Sequence, residues 1–230
     1  MSEASISEYD LNEIHKGLLM TMDRARNGKK FKVELLDVLA QGFPIDHKYN
    51  RALASTGGGD SLLHRALSFN SNIVQILLDA GADVNVEDHN GMNALLLAAY
   101  NFKPCYDHNW NILVPPYFRE ILEKTDDINK IPHRLIRTTA LGLLCMKYCQ
   151  TSIKSNMSAI KIAIKMLLDR GADIETAGDW FKMFFGSNIH YNSKNYCEVA
   201  EKLKTYLDLY VQQKTNFRNE QENAYYDYEL

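Results

Sequence analysis

Ser61 and His64 set a hydroxyl and an imidazole three residues apart, the beginnings of a nucleophile and its base. A working triad also needs a group that orients the imidazole, and no acid stands at a spacing that supplies one. Cys145 and Cys149 are four apart and share a face if the stretch is helical. Two thiolates there could start a zinc or redox site, yet no second pair at recognisable spacing completes it, and core packing is the plainer reading. Gly57-Gly58-Gly59 invites a phosphate cradle, but no Gly-Lys-Ser/Thr ending follows and Asp60 repels an anion. Asp79, Asp83, Asn85 and Asp88 lack the twelve-residue order of a calcium loop and suit turns instead. The expectation is a protein that is not an enzyme, with no catalytic residue, no cofactor and no metal.

The elements that carry these residues follow from hydrophobic spacing. Leu62, Leu63, Ala66 and Leu67, then Ile73, Val74, Leu77 and Leu78, predict two short amphipathic helices broken at Asn70-Ser71-Asn72 and stopped by Gly81. The finish recurs. Gly81-Ala82-Asp83-Val84-Asn85 matches Gly171-Ala172-Asp173-Ile174-Glu175, each after a Leu-Leu-Asp run, with weaker echoes at Gly42-Phe43-Pro44-Ile45-Asp46 and Thr125-Asp126-Asp127-Ile128-Asn129. Such an internal period marks repeated units that cannot bury their apolar faces alone. Upstream, Ser7 or Asp10 caps a helix through Leu11, Ile14, Leu18, Leu19, Met22 and Ala25, and a second runs from Phe31 to Leu39. This pair is expected to have a polar outer face, with Lys29, Lys30 and Lys32 on it.

The openings Gly59-Asp60-Ser61-Leu62-Leu63-His64-Arg65-Ala66-Leu67 and Gly91-Met92-Asn93-Ala94-Leu95-Leu96-Leu97-Ala98-Ala99, with the two Gly-Ala-Asp finishes, resemble the ankyrin-repeat family. A third, eroded opening is Thr139-Ala140-Leu141-Gly142-Leu143-Leu144, and the proline of the family opening is absent throughout. The resemblance implies an all-α solenoid of stacked antiparallel helix pairs with inserts and degenerate caps. Its units would cover about 7–46, 57–88, 89–129, 137–175 and a worn cap at 176–211, one domain at 7–211 followed by a polar tail at 212–230. It also implies that His64 packs and hydrogen-bonds within the repeat turn. Fingertip loops at 47–51, 87–90 and 130–137 would be neighbours lining a concave face, the middle one acidic and the last basic. On that face the resemblance places His89 and Asn90 directly, Met92 at its exposed start, and His133 with Arg134 in a longer fingertip.

Two departures from the family pattern interrupt the pairs. Residues 102–116 form a loop with aromatic cargo, in which Trp110, flanked by Tyr106 and Tyr117, either anchors a partner or folds back over the adjacent helices. Residues 149–158 form a second insert at the same corner, so the two should protrude side by side. Lys154, Lys161, Lys165 and Arg170 make a mildly basic stripe on the following helix, read as a solvated back. Asp179 is placed to cap a short aromatic helix in which Phe184-Phe185 is core or an exposed anchor, and Asn195 a longer one. The tail from Gln212 is disordered or a frayed helical extension.

At 230 residues and 46% hydrophobic the chain can bury a substantial core. A formal charge of -3 and a pI near 6.2 give no footprint for nucleic acid. No apolar run approaches the roughly 20 residues of an integral membrane segment, and the start lacks a secretory layout. Four cysteines, Cys105, Cys145, Cys149 and Cys197, read as free thiols of a reducing compartment. The expectation is therefore a soluble, cytosolic monomer that binds protein. Richness in Asn, Lys, Ile and Tyr resembles AT-rich genomes and suggests a bacterial effector, secreted into a host cytosol to bind a host protein in virulence; the alternative is an adaptor or inhibitor acting in its own cell.

Overall fold

Most helices lie near where the apolar spacing puts them, and several end for a local reason. The computed structural model describes residues 6–24, 28–49, 59–69, 71–109, 111–133, 137–151, 153–177 and 194–226. Helix α1 (Glu8–Arg24) starts at Ser7, whose Oγ accepts the Asp10 N–H at 3.2 Å. There follow α2 (Lys29–Ala40), α3 (Leu62–Phe69), α4 (Ser71–Asp79), α5 (Ala94–Tyr100), α6 (Pro116–Lys124), α7 (Ala140–Gln150), α8 (Lys154–Asp169), α9 (Ile174–Ala177) and α10 (Lys194–Tyr226). Asn93 and Thr139 cap α5 and α7, their side chains accepting the N–H of Leu96 and Gly142. No helix among the described residues is long and apolar enough to cross a membrane.

The stops of α2, α4 and α8 are one device. Gly42, Gly81 and Gly171 adopt φ of 90°, 90° and 102°, and the N–H groups of Phe43, Ala82 and Ala172 reach back to Val38, Leu77 and Leu167. Thr125 replaces glycine after α6, its hydroxyl donating to the Ile121 carbonyl at 2.6 Å. After the stops of α4, α6 and α8 an aspartate holds the backbone two residues on: Asp83 accepts from Asn85, Asp127 from Asn129, and Asp173 from Glu175. The residue that closes each motif then reaches its successor. Asp46 accepts the Asp83 N–H at 3.0 Å, Asn85 the Asp126 N–H at 3.0 Å, and Asn129 the Asp173 N–H at 2.7 Å.

Helix α1 lies against α2 and α3, α3 against α4 and α5, α5 against α6 and α7, and α7 against α8, α9 and α10. The core is continuous along this order. Met22, Phe31 and Leu35 fill the first pair, Leu62, Ile73 and Leu77 the second, and Ile160, Ile164 and Leu167 meet α7. Burying a side chain of that size stabilises by about 1.5–3 kcal/mol. Cys145 and Cys149 are part of this core, 0% and 2% exposed, and burial pushes both thiols up, Cys149 to about 12.

Several expectations are corrected. Residues 102–116 hold a hairpin, β1 (Cys105–Tyr106) paired antiparallel with β2 (Ile112–Leu113). Its turn forms because Asp107 accepts the N–H of Asn109 and of Asn111 at 2.8 Å each and the Asn111 amide at 2.9 Å. Phe102 belongs to the core, meeting Phe118 edge-on at 5.4 Å. Residues 149–158 are no loop insert: only 151–153 separate α7 from α8, and β2 packs on α8. Of the two alternatives for the tail the helical one holds: α10 runs to Tyr226, with Lys214 donating to the Leu168 carbonyl at 3.0 Å. The outer face of the first pair also exposes Tyr9, Met20, Val33 and Leu36 beside its lysines. The expected short aromatic helix, including Phe184 and Phe185, lies outside the described residues.

Replacing Phe102 by Ala should remove the ring that ties the hairpin to α6 and cost about 3–5 kcal/mol in urea unfolding. A midpoint unchanged from the parent protein would show that the hairpin is not anchored there.

Candidate functional site

The loops that join one pair to the next meet at one end of the helices. Between α4 and α5, Asp88 Oδ1 accepts the N–H of Asn90 and of Met92 at 2.8 Å each, and Gly91 turns the chain at φ 80°. His89 and Asn90 are thereby held at the tip. His89 Nδ1 lies 2.9 Å from Asp60 Oδ1, and the Asn90 amide nitrogen 3.0 Å from His89 Nε2, so the ring donates to Asp60 and accepts from Asn90. Tyr49 and Asp60 are joined in turn by a backbone bond of 3.2 Å, and Gly59 donates to the Tyr49 carbonyl at 2.6 Å. On the other side Lys130 Nζ reaches Glu87 at 2.5 Å, and the His133 ring covers Gly91, where a Cβ would overlap the imidazole.

His89, Asn90 and His133 thus fall on one surface, and the acidic and basic fingertips are joined by the Glu87–Lys130 pair. Met92 does not join them: it is 4% exposed, its backbone spent on Asp88 and its side chain in the core. Tyr106 and Tyr117 lie at the far end of α5, about 10 Å away along a seven-residue helix. Tyr106 is exposed, while Tyr117 is mostly buried, which pushes its phenol up to about 12. Trp110 and Arg134 lie outside the described residues, as do Arg51, Gly57 and Gly58.

The groupings that suggested chemistry are used within the fold. His64 Nδ1 takes the Ser61 hydroxyl at 2.8 Å and the Ser61 N–H at 3.0 Å, while Nε2 donates to the Val86 carbonyl at 3.0 Å. A base whose far nitrogen faces a carbonyl, with both residues buried, braces the turn that precedes α3. Asp60, Asp88 and His89 hold donor atoms within 4.8 Å of one another, but those of Asp88 and His89 are taken by the turn and by Asp60.

One polar cluster escaped the sequence. Asn12 and His15 are 2% and 1% exposed on the inward face of α1. Asn12 donates to the Glu8 carbonyl at 2.8 Å, and its Oδ1 lies 3.4 Å from His47 Nε2. His15 is packed among Phe43, His47 and Tyr49 with ring centroids 6.4, 5.6 and 5.4 Å away, and among the described residues neither of its nitrogens has a partner of good hydrogen-bond geometry, the His47 backbone being near enough only to raise its pKa in part. Burial first, then repulsion from His47, brings its pKa down to about 4. Periodicity pointed to Leu11 and Ile14, which are only half buried, and no pattern marks a histidine as core.

Residues 58–89, which include α3, α4 and the Asp60–His89 bond, match the family model described as Ankyrin repeat. No curated protein matches the chain. The chain is mostly helical and carries an ankyrin-type match. That family is one of protein–protein interaction modules, typically without catalysis.

A histidine whose folded pKa is near 4 against 6.5 when unfolded favours the unfolded state on protonation. Its contribution is complete above pH 6.5 and is lost as pH falls toward 4, by about 3 kcal/mol. His47 and His64, both lowered by burial, act in the same direction, and Asp46, raised chiefly by burial, acts against them. Urea unfolding at pH 7 and 4.5 should show a His15→Leu protein losing markedly less stability on acidification than the parent; equal losses would remove His15 as the cause.

Proposed function

We propose that this chain is a non-catalytic protein-binding module built as an all-α solenoid. One domain at 7–211 would stack helix pairs and present its joined loops at 46–49, 59–61, 87–93 and 129–133 to a partner protein. The observation that carries this reading is the lateral bonding of the tips: Asp60 to His89 and Glu87 to Lys130 fix side chains of successive loops before any partner arrives. Pairwise helix contacts in chain order and the ankyrin match at 58–89 support the stacked architecture.

The chemistry of the tips suits a polar partner of mixed charge. His89, Asn90 and His133 offer ring edges and amides on a backbone that glycine turns hold open, beside a carboxylate and an ammonium already paired with each other. A monomer bears this surface whole. Residue usage alone supports a host protein as the partner of a bacterial effector; the binding mode is the same for an adaptor in its own cell.

Display selection of a protein library against the purified chain should yield binders that compete with one another for the tips. The His89→Ala/His133→Ala protein should bind them at least about tenfold more weakly, roughly 1.4 kcal/mol, while circular dichroism at the assay temperature shows its helices retained. Binders indifferent to both substitutions would place recognition elsewhere.

A further inference from the structure

The helix pairs turn back at the end opposite the joined loops, and that end has its own chemistry. Phe69 closes α3, Tyr100 closes α5, Tyr106 and Leu113 ride the hairpin, and Ile153 precedes α8; they are 68%, 52%, 57%, 43% and 56% exposed. Large apolar groups exposed at consecutive turns, in a line, mark a contact surface. Cations outnumber acids between them. Arg24, Lys29, Lys30, Lys103, Lys147 and Lys154 stand at or near these turns against Asp23, Glu34 and Asp107, with Lys30 3.6 Å from Glu34 and Asp23 3.5 Å from Arg65, in a chain whose formal charge is -3. The acids are concentrated at the other end, where the Asp79, Asp83, Asp88, Asp126, Asp127 and Asp173 motifs recur.

Two of these acids and cations report how the corner is balanced. Asp107 is committed to the hairpin turn through Asn109 and Asn111. Lys147 donates to the Tyr100 carbonyl at 2.9 Å and is lowered by burial and then by Lys103, so two lysines are held near each other against their repulsion. A cationic edge with exposed aromatic and aliphatic tips, carried on turns and a hairpin, fits an anionic surface better than it fits an extended peptide, which needs a groove.

We propose that this corner edge docks on an anionic membrane surface, with Lys103 and Lys154 against lipid headgroups and Tyr100, Tyr106, Leu113 and Ile153 at headgroup depth. The contact is peripheral, and it leaves the joined loops on the opposite end facing away from the bilayer. It goes beyond the protein-binding reading and stands or falls separately from it.

The purified chain should co-sediment with phosphatidylcholine vesicles carrying about 30% phosphatidylserine, should not do so with phosphatidylcholine alone, and should be released by salt. Lys103→Glu/Lys154→Glu should lower the partition coefficient about tenfold or more. Neither change should harm folding, since Lys103 repels Lys147 and an acid suits the first turn of α8. Leu113→Ser should weaken binding as well, whereas Lys48→Glu at the other end should not. Hydrogen exchange with and without vesicles supplies a readout free of substitutions, with protection expected at 101–115 and 147–157 but not at 80–93. Absence of binding to the anionic vesicles, or equal binding by the double variant, overturns the proposal. Vesicle-free binding of a Glu- and Phe-containing peptide at this edge, with no vesicle binding, also overturns it and assigns the edge to a protein.

Discussion

A short side chain at the close of one helix pair accepts a backbone N–H at the start of the next closing turn, and the rest of the structure depends on that bond. Asp46, Asn85 and Asn129 do this in turn for Asp83, Asp126 and Asp173. Apolar faces supply most of the energy of stacking, yet they tolerate sliding. A hydrogen bond does not: these three bonds are exposed, so a half-turn slip hands each N–H to water and forfeits the directional contact without a burial penalty. The bond's net worth is about 1 kcal/mol, so its role is to set register while burial holds the pairs together. Register in turn is what brings Asp60 to His89 and Glu87 to Lys130.

Where the fold was legible in the sequence, the signal was redundant. Leu62, Leu63, Ala66 and Leu67 and then Ile73, Val74, Leu77 and Leu78 are all buried, and Gly81 and Gly171 stop their helices in the same left-handed turn. The same reasoning failed where a single polar contact decides the outcome. The strands of the hairpin are two residues each, below the length at which alternation can be seen, and they exist because Asp107 gathers Asn109 and Asn111. His15 has no apolar spacing to announce it. The first turns of α8 carry Ser155, Asn156 and Ser158 among stronger helix formers, and α8 packs on β2, a contact that no local pattern contains.

The candidate surface was legible only in part for a related reason. His89 and Asn90 follow from the period of the loops, but the partner that orients His89, Asp60, lies 29 residues back and belongs to the preceding turn. Met92 follows the same period and yet points inward, because Asp88 draws its backbone N–H into the turn. The series Asp46, Asn85, Asn129 did carry a signal, a short acceptor after the apolar residue of each finish, that would have marked the joints between units.

The two core thiols give the molecule an internal clock. Cys145 and Cys149 sit on α7, which touches α5, α8, α9 and α10, and burial keeps both as unreactive neutral thiols. A disulfide-exchange reagent can reach them only when that helix parts from its neighbours, whereas half-exposed Cys105 on the hairpin needs no such event. In a Cys197→Ser protein, the delay between labelling of Cys105 and of the α7 pair therefore times the parting of α7 from its neighbours under native conditions, with no probe added to the chain.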